Sequence, residues 1–293
     1  MSTLRSFRPA DRPAVLELSR HAFQRPAEQV GNPLWNTREE LESELADWDV
    51  DPGETLLVEE EDGTVVAFGG VEVSPGWEHA DLFGPLVAPN FRGQKRGTLL
   101  LEASIERAEA RGAERVVASV GTRNLRGRML LERAGFRAFG TASAIFRVTP
   151  EAHRPIETGP AGVTVRRGRP SDLGTTLALY RECFPDGSFP DTAWETGLEA
   201  GTVYLAEAEG NTLALVDIDP SDRWVYHLGV TQTQRSQGVG AFVLSRALVD
   251  YWERKPGDAL GLSVQADNLP ALRLYRRQGF VPLLVVESFE LPL

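Results

Sequence analysis

The sequence predicts a mixed α/β protein of the α+β kind, with two tandem copies of one domain. Each copy is a mixed, mainly antiparallel central sheet flanked by helices. Three observations carry this prediction. A set of residues recurs in the same order in both halves of the chain. Each half alternates the two-residue period of strands with the 3.6-residue period of helices. The 293 residues also suit two cores of roughly 145 residues better than one.

The repeat is read directly. Arg8, Pro9, Asp11, Leu16 and Phe23 each recur 161 positions later, at Arg169, Pro170, Asp172, Leu177 and Phe184. Val87 and Arg92 recur at Val230 and Arg235, an offset of 143, and Asn124 and Gly135-Phe136 recur at Asn268 and Gly279-Phe280, an offset of 144. One change of offset means duplication with extra residues in the first copy, around 24–53. There Thr37-Arg38-Glu39-Glu40 has the form of a capping box, followed by Leu41, Leu45 and Trp48 at helical spacing. The Pro- and Gly-containing stretch from Thr149 to Gly162 joins the halves, giving domains at 1–150 and 160–293.

In each copy a short strand leads to a helix that Asp11, or Ser171 and Asp172, is expected to cap. Two hairpins follow, Thr55–Glu60 with Thr64–Val73 around Asp62-Gly63, and Val203–Ala206 with Thr212–Ile218 around Gly210-Asn211. Strands ending at Val87 and Val230 then enter a glycine-bearing turn and a long helix, which in the second copy spans Ala241–Trp252. A further strand (Leu260–Gln265 in the second copy), a shorter helix and a final strand pair complete the unit.

Composition narrows the function classes. The chain is 42% hydrophobic and 25% charged, with no run approaching the roughly 20 apolar residues of a membrane span. Its first eight residues lack the apolar segment and cleavage site of an export signal. Cys183 is the only cysteine, and His21, His79, His153 and His227 lack metal-ligand spacing. A cytoplasmic, metal-independent protein is expected, as a monomer or homodimer. The net charge of −11 divides into −5 for residues 1–150 (18 basic, 23 acidic) and −6 for the remainder (13 and 19). Neither half has the concentrated basic surface that nucleic acid requires. An acidic surface would steer a cationic acceptor, although ordinary solubility charge is the more frequent cause of such an excess.

Two segments carry chemistry. His227-Leu228-Gly229-Val230 ends a strand and leads into Arg235-Ser236-Gln237-Gly238-Val239-Gly240 at the start of a helix. A helix's first turn has unpaired N–H groups and a positive dipole end, which suit a pyrophosphate if the backbone can approach. Gly238 and Gly240 remove the β-carbons that would obstruct it, and Arg235 adds charge. The second segment runs Asn268-Leu269-Pro270-Ala271-Leu272-Arg273-Leu274-Tyr275, then to Gly279-Phe280. Asn268 is expected to cap this helix, Pro270 fits its first turn, and Tyr275, seven residues on, shares a face with Asn268.

In this order and about 30 residues apart, the two segments resemble the GNAT superfamily of N-acetyltransferases. Residues 235–240 fit its Arg/Gln-x-x-Gly-x-Gly/Ala coenzyme-A loop, and 268–280 fit its later segment. The resemblance covers nearly the whole second half and implies acetyl-CoA as donor. Leu228, Gly229 and Val230 would pair with the pantetheine amides as their strand splays from its neighbour. Arg235, Ser236, Gln237, Gly238, Val239 and Gly240 would hold the pyrophosphate, and Asn268 and Ala271 would contact the donor. Tyr275 would point at the thioester sulfur, and an amine would attack the acetyl carbonyl directly. A phenol near a departing thiolate is typically worth about 10²–10⁴ in rate. Some relatives keep a basic glutamate where this chain has Trp224. Asp217, Asp219, Tyr226 and His227 remain as substitutes, each also readable as surface or packing. Cys183 reads as a small buried residue, and Phe184 and Trp194 as core or as lining for an acceptor pocket.

The first copy departs from the pattern. Lys95 replaces the first glycine of the loop and Leu131 stands where Tyr275 stands in the second, while Asp81 keeps the acidic position six residues before Val87. A degenerate first copy before an intact second is similar to tandem superfamily members that acetylate an amino-sugar precursor. The expected acceptor is therefore a small-molecule primary amine. A peptide or protein amine, or a non-catalytic acyl-CoA sensor, are the alternatives.

Overall fold

The structure, a computed structural model, describes residues 2–47, 50–73, 78–187, 189–220 and 223–293. The chain forms two compact units, Met1–Ala144 with Leu284–Leu293, and Ile145–Leu283. In the first, the elements run β1 (Ser2–Ser6), α1 (Arg12–Phe23), α2 (Arg38–Asp47), α3 (Pro52–Thr55), β2 (Leu56–Glu61), β3 (Thr64–Glu72), β4 (His79–Val87), α4 (Arg96–Ala110), β5 (Arg115–Gly121), α5 (Leu125–Arg133) and β6 (Arg137–Val148). The second continues with β7 (Thr164–Arg167), α6 (Leu173–Cys183), α7 (Asp191–Ala200), β8 (Val203–Ala208), β9 (Asn211–Asp219), β10 (Trp224–Val230), α8 (Val239–Arg254), β11 (Leu260–Gln265), α9 (Leu269–Arg277) and β12 (Val281–Pro292).

Strands β1 to β4 pair antiparallel in sequence order, and β4 pairs parallel with β5. The same plan recurs from β7 to β11. The sheet of the first unit is completed from the far end of the chain, where residues 286–292 pair antiparallel with β5. Residues 145–148, at the end of β6, belong to the second unit.

Local chemistry explains most element ends. Asp62 and Gly63 both adopt positive φ (49° and 79°), the twist-matched two-residue hairpin turn. In the second hairpin the same role falls to Glu209 and Gly210 (52° and 78°). This moves the turn one residue before the expected Gly210-Asn211, because Asn211 already pairs with Ala208. The capping box at α2 forms, with the Thr37 hydroxyl accepting from the Glu40 N–H (3.1 Å) and Glu40 accepting from the Thr37 N–H (2.9 Å). Leu41 and Leu45 are buried, and Trp48 lies outside the described residues.

Asp11 and Asp172 do not cap α1 and α6 with their side chains. Each carboxylate instead accepts a bidentate pair from an arginine six residues earlier, Arg5 or Arg166, at 2.7 and 2.9 Å. The same arginine also holds Glu60 or Glu207 on the neighbouring strand. Each carboxylate also accepts the backbone N–H three residues earlier, Arg8 or Arg169, at 2.7 Å, so it closes the short turn that leads into the helix rather than capping the helix itself. This ionic clip repeats in both units.

Candidate active site

In the second unit, β10 and β11 pair only at Trp224 and Gly261, after which no segment pairs with their facing edges among the described residues. Leu228, Gly229 and Val230 keep their antiparallel partners on β9 (Val216, Leu215 and Ala214). The other edge of their backbone therefore faces an open wedge.

The chain leaves this strand through a turn in which Ser236 (φ 63°) and Gly238 (φ 86°) are left-handed and Gly238 is the residue before α8. Among the described residues, the N–H groups of Ser236, Gln237, Gly238, Val239 and Gly240 donate to no carbonyl or side chain. They are the unpaired donors of a helix start. Arg235 donates from Nε to the Val230 carbonyl (3.1 Å), which pins it beside the turn, and no carboxylate is bonded to it among the described residues. A β-carbon at Gly238 would find only Pro160 Cγ, at 3.8 Å, so the glycine serves conformation rather than internal packing. Gly240 differs. A β-carbon there would press to 2.9 Å from Val230, so its job is to seat α8 closely on β10.

That close seating also meets the second segment, since Leu274 Cδ1 lies 3.7 Å from the same point and Gln278 donates to the Ala241 carbonyl (3.2 Å). Asn268 caps α9 by accepting from the Ala271 N–H (3.2 Å), so Ala271 spends its donor inside the cap. Tyr275 is buried between Phe146 (6.4 Å between ring centres) and Phe280 (5.6 Å). Its hydroxyl has no hydrogen-bond partner among the described residues, and burial pushes its pKa up to about 12. The phenol stays protonated and free to donate. Unpaired turn amides, an uncompensated arginine and an open strand edge fit a phosphorylated thioester such as acetyl-CoA.

The opposite face of β10 carries an aromatic cluster. His227 sits among Tyr180 (5.2 Å), Phe184 (5.5 Å), Phe189 (4.6 Å) and Trp194 (5.1 Å). Gly229 lies beneath Cys183 and Phe184. Cys183 is half-buried rather than buried, and desolvation pushes its thiol pKa up, which suits an inert thiol. Trp224, in the position of the relatives' glutamate, lies against Gly261, where a β-carbon would come within 2.2 Å of its ring.

The first unit has the same wedge between β4 and β5, and its own chain fills it. Gly31 donates to the Ser119 carbonyl (2.8 Å), Gly121 donates to the Gln29 carbonyl (3.0 Å), and Gly84 on β4 donates to the Asn32 carbonyl (2.9 Å). Val30 bridges Val120. Arg92, the counterpart of Arg235, is clamped by both carboxylate oxygens of Glu28 at 2.8 Å. Pro85 stands where Leu228 stands in the second unit and has no N–H to offer. Lys95 occupies the left-handed position of Gly238 with φ 61°. Asp81 is exposed, near His79 (3.5 Å). Trp35, just beyond the filling segment, is fully buried and stacks on Phe68.

The Glu28–Arg92 clamp gives a pH prediction. Hydrogen bonding to Arg92 holds the Glu28 carboxyl below its ordinary value of 4.5. Its stabilisation is complete above that value and is lost as pH falls through the lower folded one. Urea unfolding of Glu28→Gln at pH 7 is expected to show a loss of about 1.5–3 kcal/mol. The variant should also lose less stability than the parent on acidification. Equal stability of the two proteins at pH 7 would mean the clamp contributes nothing.

The profile of the acetyltransferase (GNAT) family matches residues 13–136 and again 174–280. The chain belongs to this family and is an N-acetyltransferase by class. It is similar to the mycothiol acetyltransferase of Thermomonospora curvata, 28% identical over 260 residues that cover 80% of this chain and 82% of that protein. It is also similar to the mycothiol acetyltransferase of Clavibacter sepedonicus, 30% identical over 133 residues. That match spans 41% of this chain and less than half, 43%, of that relative's length. Among solved structures, a GCN5-related N-acetyltransferase from Sphaerobacter thermophilus shares the fold with a TM-score of 0.75 and 23% identity, covering 99% of this chain and 95% of that one. Among the described residues no helix is long and apolar enough to cross a membrane.

Proposed function

We propose that this enzyme transfers the acetyl group of acetyl-CoA directly to a primary amine of a small molecule, with donor binding and catalysis in the second unit. The observation that carries this reading is the contrast between the two wedges. In the first unit, residues 28–32 take up the strand edges and the arginine that a donor would need, whereas among the described residues of the second the facing strand edges stay unpaired and no carboxylate is bonded to Arg235. Acetyl-CoA supplies the acetyl group as an activated thioester. The residues proposed to hold it are Leu228, Gly229 and Val230 for the pantetheine arm and the turn from Arg235 to Gly240 for the pyrophosphate. Asn268 and α9 flank them, and Tyr275 donates toward the sulfur. Similarity to mycothiol acetyltransferases over most of the chain supports a small-molecule amine as acceptor.

The test is calorimetric titration of acetyl-CoA into the intact chain, followed by mass-spectrometric detection of acetylated product from D-glucosamine, L-cysteine and L-lysine. One donor per chain and acetylation of a small amine are expected. Two donors per chain would contradict the filled first wedge, and binding without transfer to any amine would favour a sensor.

A further inference from the structure

With Trp224 where some relatives keep a glutamate, an acceptor that arrives as its ammonium must pass a proton to another group before it can attack. We propose that His227 is that base and that Asp217 is its positioning residue, an assignment that rests on the function proposed above. The two face each other across the antiparallel β9–β10 pair, with His227 Nδ1 3.8 Å from Asp217 Oδ2. Nδ1 is buried and has no hydrogen-bond partner among the described residues, an arrangement that a merely packed histidine avoids. Asp217 is itself buried, and its other oxygen accepts from the Thr202 hydroxyl at 3.2 Å. The carboxylate is thus fixed in place to stabilise positive charge on the ring. The His227 side chain keeps 14% exposure, so it is not sealed from an acceptor or from water.

The surroundings leave the ring few other proton partners. From α6 the titratable neighbour is the Tyr180 phenol, whose oxygen already accepts the Phe189 N–H at 3.0 Å. From β10 itself there is Tyr226, with ring centres 6.3 Å apart, while among the described residues α7 and the preceding segment supply Trp194 and Phe189. Cys183 on α6 lies over Gly229, two residues along the strand. Aromatic faces around one carboxylate also suit a cationic amine.

The step balances without further reactants. His227 takes one proton from the ammonium. The amine nitrogen bonds to the acetyl carbon as the C–S bond breaks, and the electron pair goes to sulfur. The new amide nitrogen sheds its second proton, which the thiolate takes up through solvent, and His227 releases its proton to water.

The experiment compares the full-length parent, His227→Gln and Asp217→Asn. It reads acetyl-CoA affinity, release of free thiol by the slow attack of water, and acetylation of D-glucosamine, L-cysteine or L-lysine across pH. In His227→Gln, turnover with water and amine alike is expected to fall about 10²–10⁴-fold. Donor affinity should hold, and amine turnover should recover only at high pH, where the acceptor is already neutral, so the acid limb moves up. In Asp217→Asn amine turnover should fall and its acid limb should shift, because the carboxylate that faces Nδ1 is gone. Parent turnover with an unchanged rate and pH profile in His227→Gln would overturn the assignment. An acid limb left in place in Asp217→Asn would remove Asp217 from it. A parent that neither binds nor cleaves acetyl-CoA would instead sink the proposed function, and this base with it. If His227→Gln does not fold, as its melting curve would reveal, the displaced limb in Asp217→Asn decides.

Discussion

Tyr275→Phe is expected to lower acetyl transfer about 10²–10³-fold while leaving acetyl-CoA affinity and protein stability nearly unchanged. The hydroxyl has no partner among the described residues, so its removal orphans nothing, and the ring contacts with Phe146 and Phe280 survive. The size of the effect follows from what the phenol can do. A thiol titrates near 8.5, whereas burial pushes Tyr275 up to about 12. Full proton transfer from this phenol to the thiolate would be uphill by roughly 5 kcal/mol at 1.36 kcal/mol per pKa unit. A hydrogen bond to the developing negative charge carries no such penalty. Tyr275 therefore acts as a fixed donor, and its contribution resembles that of one oxyanion-stabilising group. The raised value also keeps the donor protonated across the working range, so no alkaline limb below about pH 10 should belong to it. Stopped-flow or steady-state turnover beside calorimetry would check both halves. Equal turnover would remove Tyr275 from the chemistry, and lost affinity would make it a binding residue instead.

What the sequence made legible was whatever depends on neighbours along the chain. The repeat, the hairpin at Asp62-Gly63, the Thr37–Glu40 box and the Asn268 cap each need only a few adjacent residues. The two donor-binding segments were legible for the same reason. The filling of the first wedge was not, because Gln29 to Asn32 have no periodicity, and their partners at Ser119, Gly121 and Gly84 are distant. Only the extra length around 24–53 signalled that something had been added there. His227 was visible as one of several substitutes, but its register with Asp217 depends on the irregular pairing between Val225 and His227. The sequence marks Gly240 for close approach of a phosphate, but that a β-carbon there would press on Val230 depends on how α8 seats on β10.

The changes in the first copy also make sense together only in three dimensions. Glu59, Glu61 and Arg96 occupy the places of Ala206, Ala208 and Val239, and Arg96 bonds both glutamates. Glu59 and Arg96 are buried, where either charge alone would be costly, and paired they are tolerated, with the half-buried Glu61 as a second partner. The helix start of the first unit is thus tied to its own sheet. With Arg92 held by Glu28 and Pro85 lacking an N–H, the first unit has diverged coherently away from donor binding.

This divergence supplies the control for the second large effect. Gly238→Glu is expected to weaken acetyl-CoA binding at least 100-fold, or about 2.7 kcal/mol. It sets a carboxylate before the helix start, where the pyrophosphate is proposed to lie, and like charges brought together across an interface are separated by several kcal/mol. The substitution should still fold. A β-carbon at Gly238 meets nothing closer than 3.8 Å, and Lys95 already occupies the matching left-handed position in the first unit. The conformational strain is of order 1 kcal/mol, so the melting temperature should drop by only a few degrees. Gly238→Lys separates charge from bulk, since it introduces the same strain and obstruction with the opposite sign. It should weaken binding far less than glutamate does. Lys95→Gly should add no second donor, because residues 28–32 still fill that wedge. Unchanged affinity in Gly238→Glu would move the donor site away from α8 and put the first unit back in contention.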